Sequence, residues 1–246
     1  MLLLICCIGV VMVLGFSYYV PPQIREPYSI TRHHDDTLRI AYIGDSWAFM
    51  HKAYDNRMSK MIEKELCKPV QVQSYGICGL TSKEVYEHLF EDSIMKNFIE
   101  KGYDYCIISV GINDTYKKMS TTYYKESLKG LLNLMILNNI SPIFLDIPDY
   151  DIQKAYNCQK ISKKMLRRLS MLINGITIDC KQEYRDILKE TVCERAYILN
   201  YQEWNKHYSK DLKDYYLEDG IHLNKAGYAK LDSCIAAHIR LSFNEK

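Results

Sequence analysis

The chain lacks the spacings that most directly announce a metal protein: no CxxC pair and no HExxH stretch occurs in its 246 residues, so no metal ligand is assigned. It also lacks a long block of one charge sign. Its 32 basic and 30 acidic residues are spread along the chain for a formal charge of +2, which leaves no basic track for a phosphate backbone and argues against a nucleic-acid partner. Phenylalanine is scarce, 6 residues against 21 tyrosines. Tyrosine stacks on sugar rings, although A/T-rich coding enriches Tyr together with Lys, Ile and Asn. The nine cysteines are an odd number, so full oxidation would leave one thiol unpaired. Cys78 and Cys106 lie in apolar surroundings and are expected to pack as small hydrophobes.

What is present begins with an almost uninterrupted apolar run, Leu2 to Val20, closed by Tyr18, Tyr19 and the Pro21-Pro22 pair. Its length suffices to cross a hydrocarbon core, and it resembles an uncleaved signal anchor more than a signal peptide. No basic n-region precedes it and no small-x-small cleavage site follows. Cys6 and Cys7 fall inside the run, where a lipidated cysteine does not belong. Residues 1–20 are therefore expected to tether the chain to a membrane, residues 21–36 (PPQIREPYSITRHHDD) to form a polar spacer, and residues 37–246 to form one domain. The expected location of that domain is extracytoplasmic. Read literally, Arg25, Arg32 and Arg39 after the run favour the opposite side.

Beyond the spacer, short apolar runs alternate with helical patterns. Leu38 to Ile43, Val70 to Tyr75, Tyr103 to Val110, Pro142 to Ile147 and Ala196 to Asn200 read as five strands covered on both faces. Met50, Ala53, Tyr54, Met58, Met61, Ile62 and Leu66 recur at helical spacing, as do Leu128, Leu131, Leu132, Met135 and Ile136. A final helix spans about Lys225 to Arg240. Such alternation predicts right-handed crossovers and a parallel sheet between two helical layers, with its site at the carboxyl ends of the strands. The basic residues Lys160, Lys163, Lys164, Arg167 and Arg168 share a helical pattern with Ile161, Met165, Leu166 and Leu169, and read as a solvated face. His33, His34, His51, His88, His207 and His238 have no neighbouring pattern that singles them out.

Polar and glycine clusters follow the strands as that rule requires. Gly44-Asp45-Ser46 follows the first, Gly76-Ile77-Cys78-Gly79 the second and Gly111-Ile112-Asn113-Asp114 the third, while Asp219-Gly220-Ile221-His222 precedes the final helix. A serine at a strand-to-helix turn is well placed as a nucleophile but needs a base, for which His222 is the candidate. Asp219, three residues earlier, is close enough to hold the imidazole by Nδ1 and leave Nε2 for the serine proton. The backbone N–H groups of Ser46 and Gly79 and the side-chain amide of Asn113 supply three donors for an oxyanion. Singly, each cluster reads equally well as a turn or a helix cap. Four in the right order, each at the rim, are harder to assign to turns alone.

These residues resemble the SGNH (GDSL-like) hydrolases: Ile43-Gly44-Asp45-Ser46 matches their first block, Gly79 in ICGLTS the second, Gly111-Ile112-Asn113-Asp114 the third and Asp219-Gly220-Ile221-His222 the fifth. The resemblance implies a flavodoxin-like three-layer α/β/α sandwich with a five-stranded parallel sheet. It implies a Ser46, His222 and Asp219 triad, and an oxyanion hole of Ser46, Gly79 and Asn113. No metal or organic cofactor is implied. Gly76 is the alternative to Gly79, and Leu80 stands where an acidic residue is frequent. No G-x-S-x-G elbow surrounds Ser46, which disfavours the α/β-hydrolase fold. The implied activity is that of a serine esterase on a small-molecule or glycan ester, in first place an O-acetyl group on a carbohydrate or glycoconjugate. The alternatives are a lipid esterase or lysophospholipase, and an O-acyltransferase using the same acyl-serine.

Overall fold

Aliphatic and aromatic side chains fill both faces of the central strands: Ile40, Ala41, Tyr42 and Ile43 are fully buried, as are Cys106, Ile107 and Ile108. A strand with no solvent face must be an inner member of a covered sheet. The computed structural model describes residues 20–91, 94–204 and 214–244. Within them β1 (Leu38–Gly44), β2 (Val70–Gly76), β3 (Tyr105–Ser109), β4 (Ser141–Leu145) and β5 (Tyr197–Leu199) form one parallel sheet in the order β2-β1-β3-β4-β5. All five expected strands are present, some shortened at their ends. The order reverses between β1 and β3, and the crevice beyond their carboxyl ends is where a doubly wound sheet offers a site.

The helices are α1 (Ser46–His51), α2 (Asp55–Leu66), α3 (Ser82–Phe90), α4 (Ile94–Ile99), α5 (Ile112–Lys117) and α6 (Thr121–Leu137) in the first half of the chain. They continue with α7 (Ile152–Asn157), α8 (Ile161–Asn174), α9 (Lys181–Val192), α10 (Tyr201–Trp204) and α11 (Lys225–Asn244). One layer sets α1 and α2 on β1 and β2, with α11 packed on α2; in the other, α6 packs on β4 between α3 and α9. The helical spacing from Met50 to Leu66 is interrupted by a 3-10 turn at Lys52–Tyr54, which separates α1 from α2. Asp55 accounts for the break. Its carboxylate accepts the Ser74 backbone N–H at 2.9 Å and contacts His51 Nδ1 at 3.0 Å, which draws the start of α2 onto β2.

The apolar run expected as a membrane anchor lies outside the described residues apart from Val20. Among the described residues no helix is long and apolar enough to cross a membrane. The polar segment after it has no helix or strand, yet it is laid along the domain. Tyr86 Oη accepts the Arg25 N–H at 2.8 Å, Tyr28 Oη donates to Leu89 O at 2.7 Å, and the Asn138 side chain both accepts from Ile30 N at 2.6 Å and donates to Tyr28 O at 2.9 Å. His33 Nε2 then meets Asp104 at 3.0 Å, beside the start of β3.

The structure departs from three sequence expectations. The basic residues of α8 are not simply a solvated face: Arg167 and Ser170 are its buried residues, whereas Ile161, Met165 and Leu172 are 77%, 67% and 81% exposed. Periodicity reveals two faces but not which of them the rest of the chain covers. Cys106 is buried as expected, but Cys78 is exposed, because the loop after β2 leaves the sheet. His51 is fully buried in a polar network. Its Nε2 lies 2.9 Å from Asp232 on α11 and its Nδ1 lies 2.9 Å from Ser74 Oγ as well as near Asp55, while Arg57 donates to the second Asp232 oxygen at 2.6 Å.

Burial alone disfavours the His51 imidazolium, but the hydrogen bonds to Asp232 and Asp55 outweigh it and raise its pKa above the ordinary value. The folded state therefore holds this proton more tightly than the unfolded chain. The resulting stability is complete below the unfolded value of 6.5 and is lost as pH rises through the folded one. Asp232→Asn is expected to lower unfolding stability by about 3 kcal/mol at pH 6, as when one partner of a buried pair is removed, and by less at pH 9. Urea titrations of both proteins at the two pH values measure this; an equal loss at both would contradict a charged His51.

Candidate active site

Ser46 opens α1 directly after β1. Asp45 caps that helix, its carboxylate accepting the Trp47 N–H at 3.0 Å, so the turn is fixed by a side chain that is itself fully buried. The opposite wall is the hairpin-like loop before α11. There Tyr216 bridges Leu223, Leu217 N–H donates to His222 O at 2.8 Å, and the Asn224 side chain accepts from Ala226 N and Gly227 N to start α11. Asp219 folds the tip of the loop. One carboxylate oxygen accepts the N–H groups of Ile221 and His222 at 2.9 and 3.0 Å, and the other accepts from His222 Nδ1 at 2.6 Å.

With Nδ1–H donated to a carboxylate, Nε2 is left as an acceptor, and the Ser46 hydroxyl lies 2.9 Å from it. The structure thus brings the three residues named from sequence into one hydrogen-bonded series, although Ser46 and His222 are 176 positions apart. Burial tends to raise the Asp219 pKa, but the His222 hydrogen bond and the two backbone N–H groups more than offset it and hold the carboxyl below its usual range. A carboxylate that stays ionised can stabilise an imidazolium. Such a series can take a proton from a hydroxyl and return it to a leaving group.

Gly79 and Asn113 line one cavity of about 300 Å³. Asn113 Nδ2 donates one hydrogen to Asp45 at 3.1 Å, which ties it to the residue before Ser46 and leaves its second N–H for another acceptor. The two glycines after β2 have different surroundings. A Cβ on Gly76 would come within 2.3 Å of Asp45 O, so Gly76 serves the close packing of β2 on the start of α1. Gly79 has φ +84 and open space about its Cα. Burial pushes the Asp45 carboxyl up to about 7 against the Trp47 hydrogen bond and the attraction of His222. Among the described residues no group of three His, Cys, Asp or Glu side chains could hold a metal.

Residues 40–230 match the GDSL-like lipase/acylhydrolase family. The chain belongs to it. It is therefore a GDSL-like, or SGNH, ester-bond hydrolase, and solved structures of such hydrolases share its fold. A lipase/acylhydrolase from Enterococcus faecalis superposes with a TM-score of 0.58 at 16% identity, covering 82% of this chain and 95% of that one. An acetyl xylan esterase from Geobacillus stearothermophilus gives 0.57 at 17% identity over 82% and 94%, and a further acetyl xylan esterase 0.59 at 14% over 82% and 100%. Among curated proteins, the N-acylneuraminate cytidylyltransferase of Escherichia coli O18:K1:H7 is 25% identical over 181 residues. That match covers 70% of the chain, which spans only 36% of the cytidylyltransferase's length.

The hydrolase also uses residues that the sequence reading passed over. Asp114, fully enclosed, accepts the Ser82 N–H at 2.9 Å and the Ser82 hydroxyl at 2.6 Å, joining α5 to the start of α3 just after the loop that carries Gly79. Burial pushes its carboxyl up to about 6 against those bonds. This tie supplies a polar anchor for a loop in which Leu80 replaces an acidic residue. Its signal was the serine opening α3, three positions after Gly79. Trp47, 1% exposed, donates its indole N–H to Ile221 O at 3.2 Å, one residue before His222, and its own carbonyl accepts the Tyr228 hydroxyl at 3.0 Å. No spacing rule links residues so far apart. Trp47→Phe keeps an aromatic side chain but drops the bond to Ile221 and the volume of the second ring, and is expected to lower stability by about 2 kcal/mol. Ester hydrolysis should fall more than the folded fraction does. Parallel unfolding and steady-state measurements test this, and unchanged kcat would contradict the positioning role.

Proposed function

We propose that the chain is a serine esterase that removes O-acetyl groups from a carbohydrate or glycoconjugate. The observation that carries the reading is the contact series from Ser46 Oγ through the His222 ring to Asp219, with steps of 2.9 and 2.6 Å. In the proposed mechanism the Ser46 hydroxyl passes its proton to His222 Nε2 as Oγ attacks the ester carbonyl. The oxygen that becomes negative receives hydrogen bonds from the Ser46 and Gly79 N–H groups and from the Asn113 amide. Collapse of the tetrahedral intermediate expels the alcohol, protonated by the imidazolium. Water, deprotonated by the same imidazole, then attacks the acyl-serine and releases acetate and the free hydroxyl.

The choice of an acetylated sugar rests on the names of similar proteins. Two structural neighbours are acetyl xylan esterases, and the curated relative is named for a sugar substrate. A fluorophosphonate probe is expected to label the protein covalently and to leave Ser46→Ala unlabelled; persistent labelling of that variant would refute the nucleophile. His222→Ala is expected to lower kcat/KM on acetyl esters by about three orders of magnitude or more, and Asp219→Asn by less, since the base matters more than the group orienting it. Assays of acetate release from acetylated sugars, beside fatty acid release from lysolipids, separate the carbohydrate reading from lipid hydrolysis.

A further inference from the structure

The cavity that opens on Gly79 and Asn113 is walled by Tyr116 and Lys117 of α5 and by Lys163, Leu166, Arg167 and Ser170 of α8. Its charge is one-sided. Lys117 is neutralised by Glu84 at 3.3 Å, but α8 has Lys163, Lys164, Arg167 and Arg168 and no acidic residue at all. Arg167 is only 7% exposed. Its guanidinium lies 3.7 Å from the centre of the Tyr116 ring, Nη1 has no hydrogen-bond partner, and no carboxylate among the described residues pairs with it.

Stacking on tyrosine stabilises a guanidinium and fixes the plane of its fork, yet leaves N–H groups unused. A buried cation without a counter-charge is unfavourable, and an anion brought by a ligand would relieve that cost. The orientation of α8 agrees. Ile161, Met165 and Leu172 face solvent, while Lys163, Arg167 and Ser170 turn toward the cavity. An amphipathic helix is turned this way round at a loss of apolar burial, which a role for its polar face would explain.

We propose that this cavity receives an anionic group, a carboxylate or a phosphate, carried by the ester substrate within reach of its scissile carbonyl. Arg167 meets the anion with its planar fork and Lys163 adds long-range attraction at the rim. The inference rests on the esterase reading, since it places the anion beside the oxyanion donors Gly79 and Asn113. It narrows the substrate from acetylated sugars at large to acetylated acidic sugars or sugar phosphates.

The test compares the purified protein on three acetylated pyranose sugars, a methyl glucuronide, glucose 6-phosphate and a neutral methyl glucoside, with 4-nitrophenyl acetate as the probe of the machinery. At low salt, kcat/KM for at least one anionic ester is expected to exceed that for the neutral one by about 10-fold or more, the scale of one charge-assisted hydrogen bond. The preferred ester tells carboxylate from phosphate. The preference is expected to collapse in Arg167→Met, to return in part in Arg167→Lys, to shrink a few-fold in Lys163→Ala and to fade as salt rises. Lys163 is exposed, so its variant and the salt series decide the matter if Arg167→Met fails to fold. Equal rates on charged and neutral sugars, with Ser46-dependent hydrolysis of 4-nitrophenyl acetate intact, would overturn the anion site alone. Loss of Ser46-dependent turnover on every ester would overturn the esterase reading and the anion site with it.

Discussion

The site depends on how the end of the chain is held against its beginning. Ser46 stands on α1, and His222 stands on a loop whose position is set by three long-range contacts: Trp47 to Ile221, Tyr228 to Trp47 and His51 to Asp232. Each joins α1 to the loop or to α11, and each pairs a polar atom of a buried α1 residue, for which an unmade bond is unfavourable. That penalty turns a packing preference into a defined geometry. A hydroxyl and an imidazole can then rest at hydrogen-bond distance without help from adjacent sequence.

Burial shapes the electrostatics on the serine side of this arrangement. Asp45 and Asp114 are enclosed carboxyls whose pKa values are pushed upward, and each accepts hydrogen bonds that order a neighbouring loop. Asp219, partly open to solvent and surrounded by N–H donors, is held below its ordinary range. Environment alone thus separates three aspartates into two that brace the loops around the serine and one that stays ionised beside the imidazole.

Much of this was legible from the residues because parallel strands without a solvent face leave continuous apolar runs. Once those runs were placed, the rule that sites lie beyond strand carboxyl ends picked out Ser46, Gly79 and Asn113. Asp219 could be paired with His222 because it lies three positions before it. What the sequence hid has a common cause in distance and facing. His51 looked unremarkable because Asp232 lies 181 positions away. Arg167 looked solvated because helical spacing defines two faces and is silent on which one is covered. Cys78 was assigned to the interior with Cys106, although only the latter lies within a strand.

The order of the functional groups along the polypeptide has a bearing on synthesis. The turn that carries Ser46 follows the first of the described strands, whereas His222 comes on the segment before α11, 176 positions later. A ribosome-bound intermediate, or any product terminated early, carries the first without the second. In the proposed mechanism such species lack the base that serves the serine, and ester cleavage waits until α11 has docked.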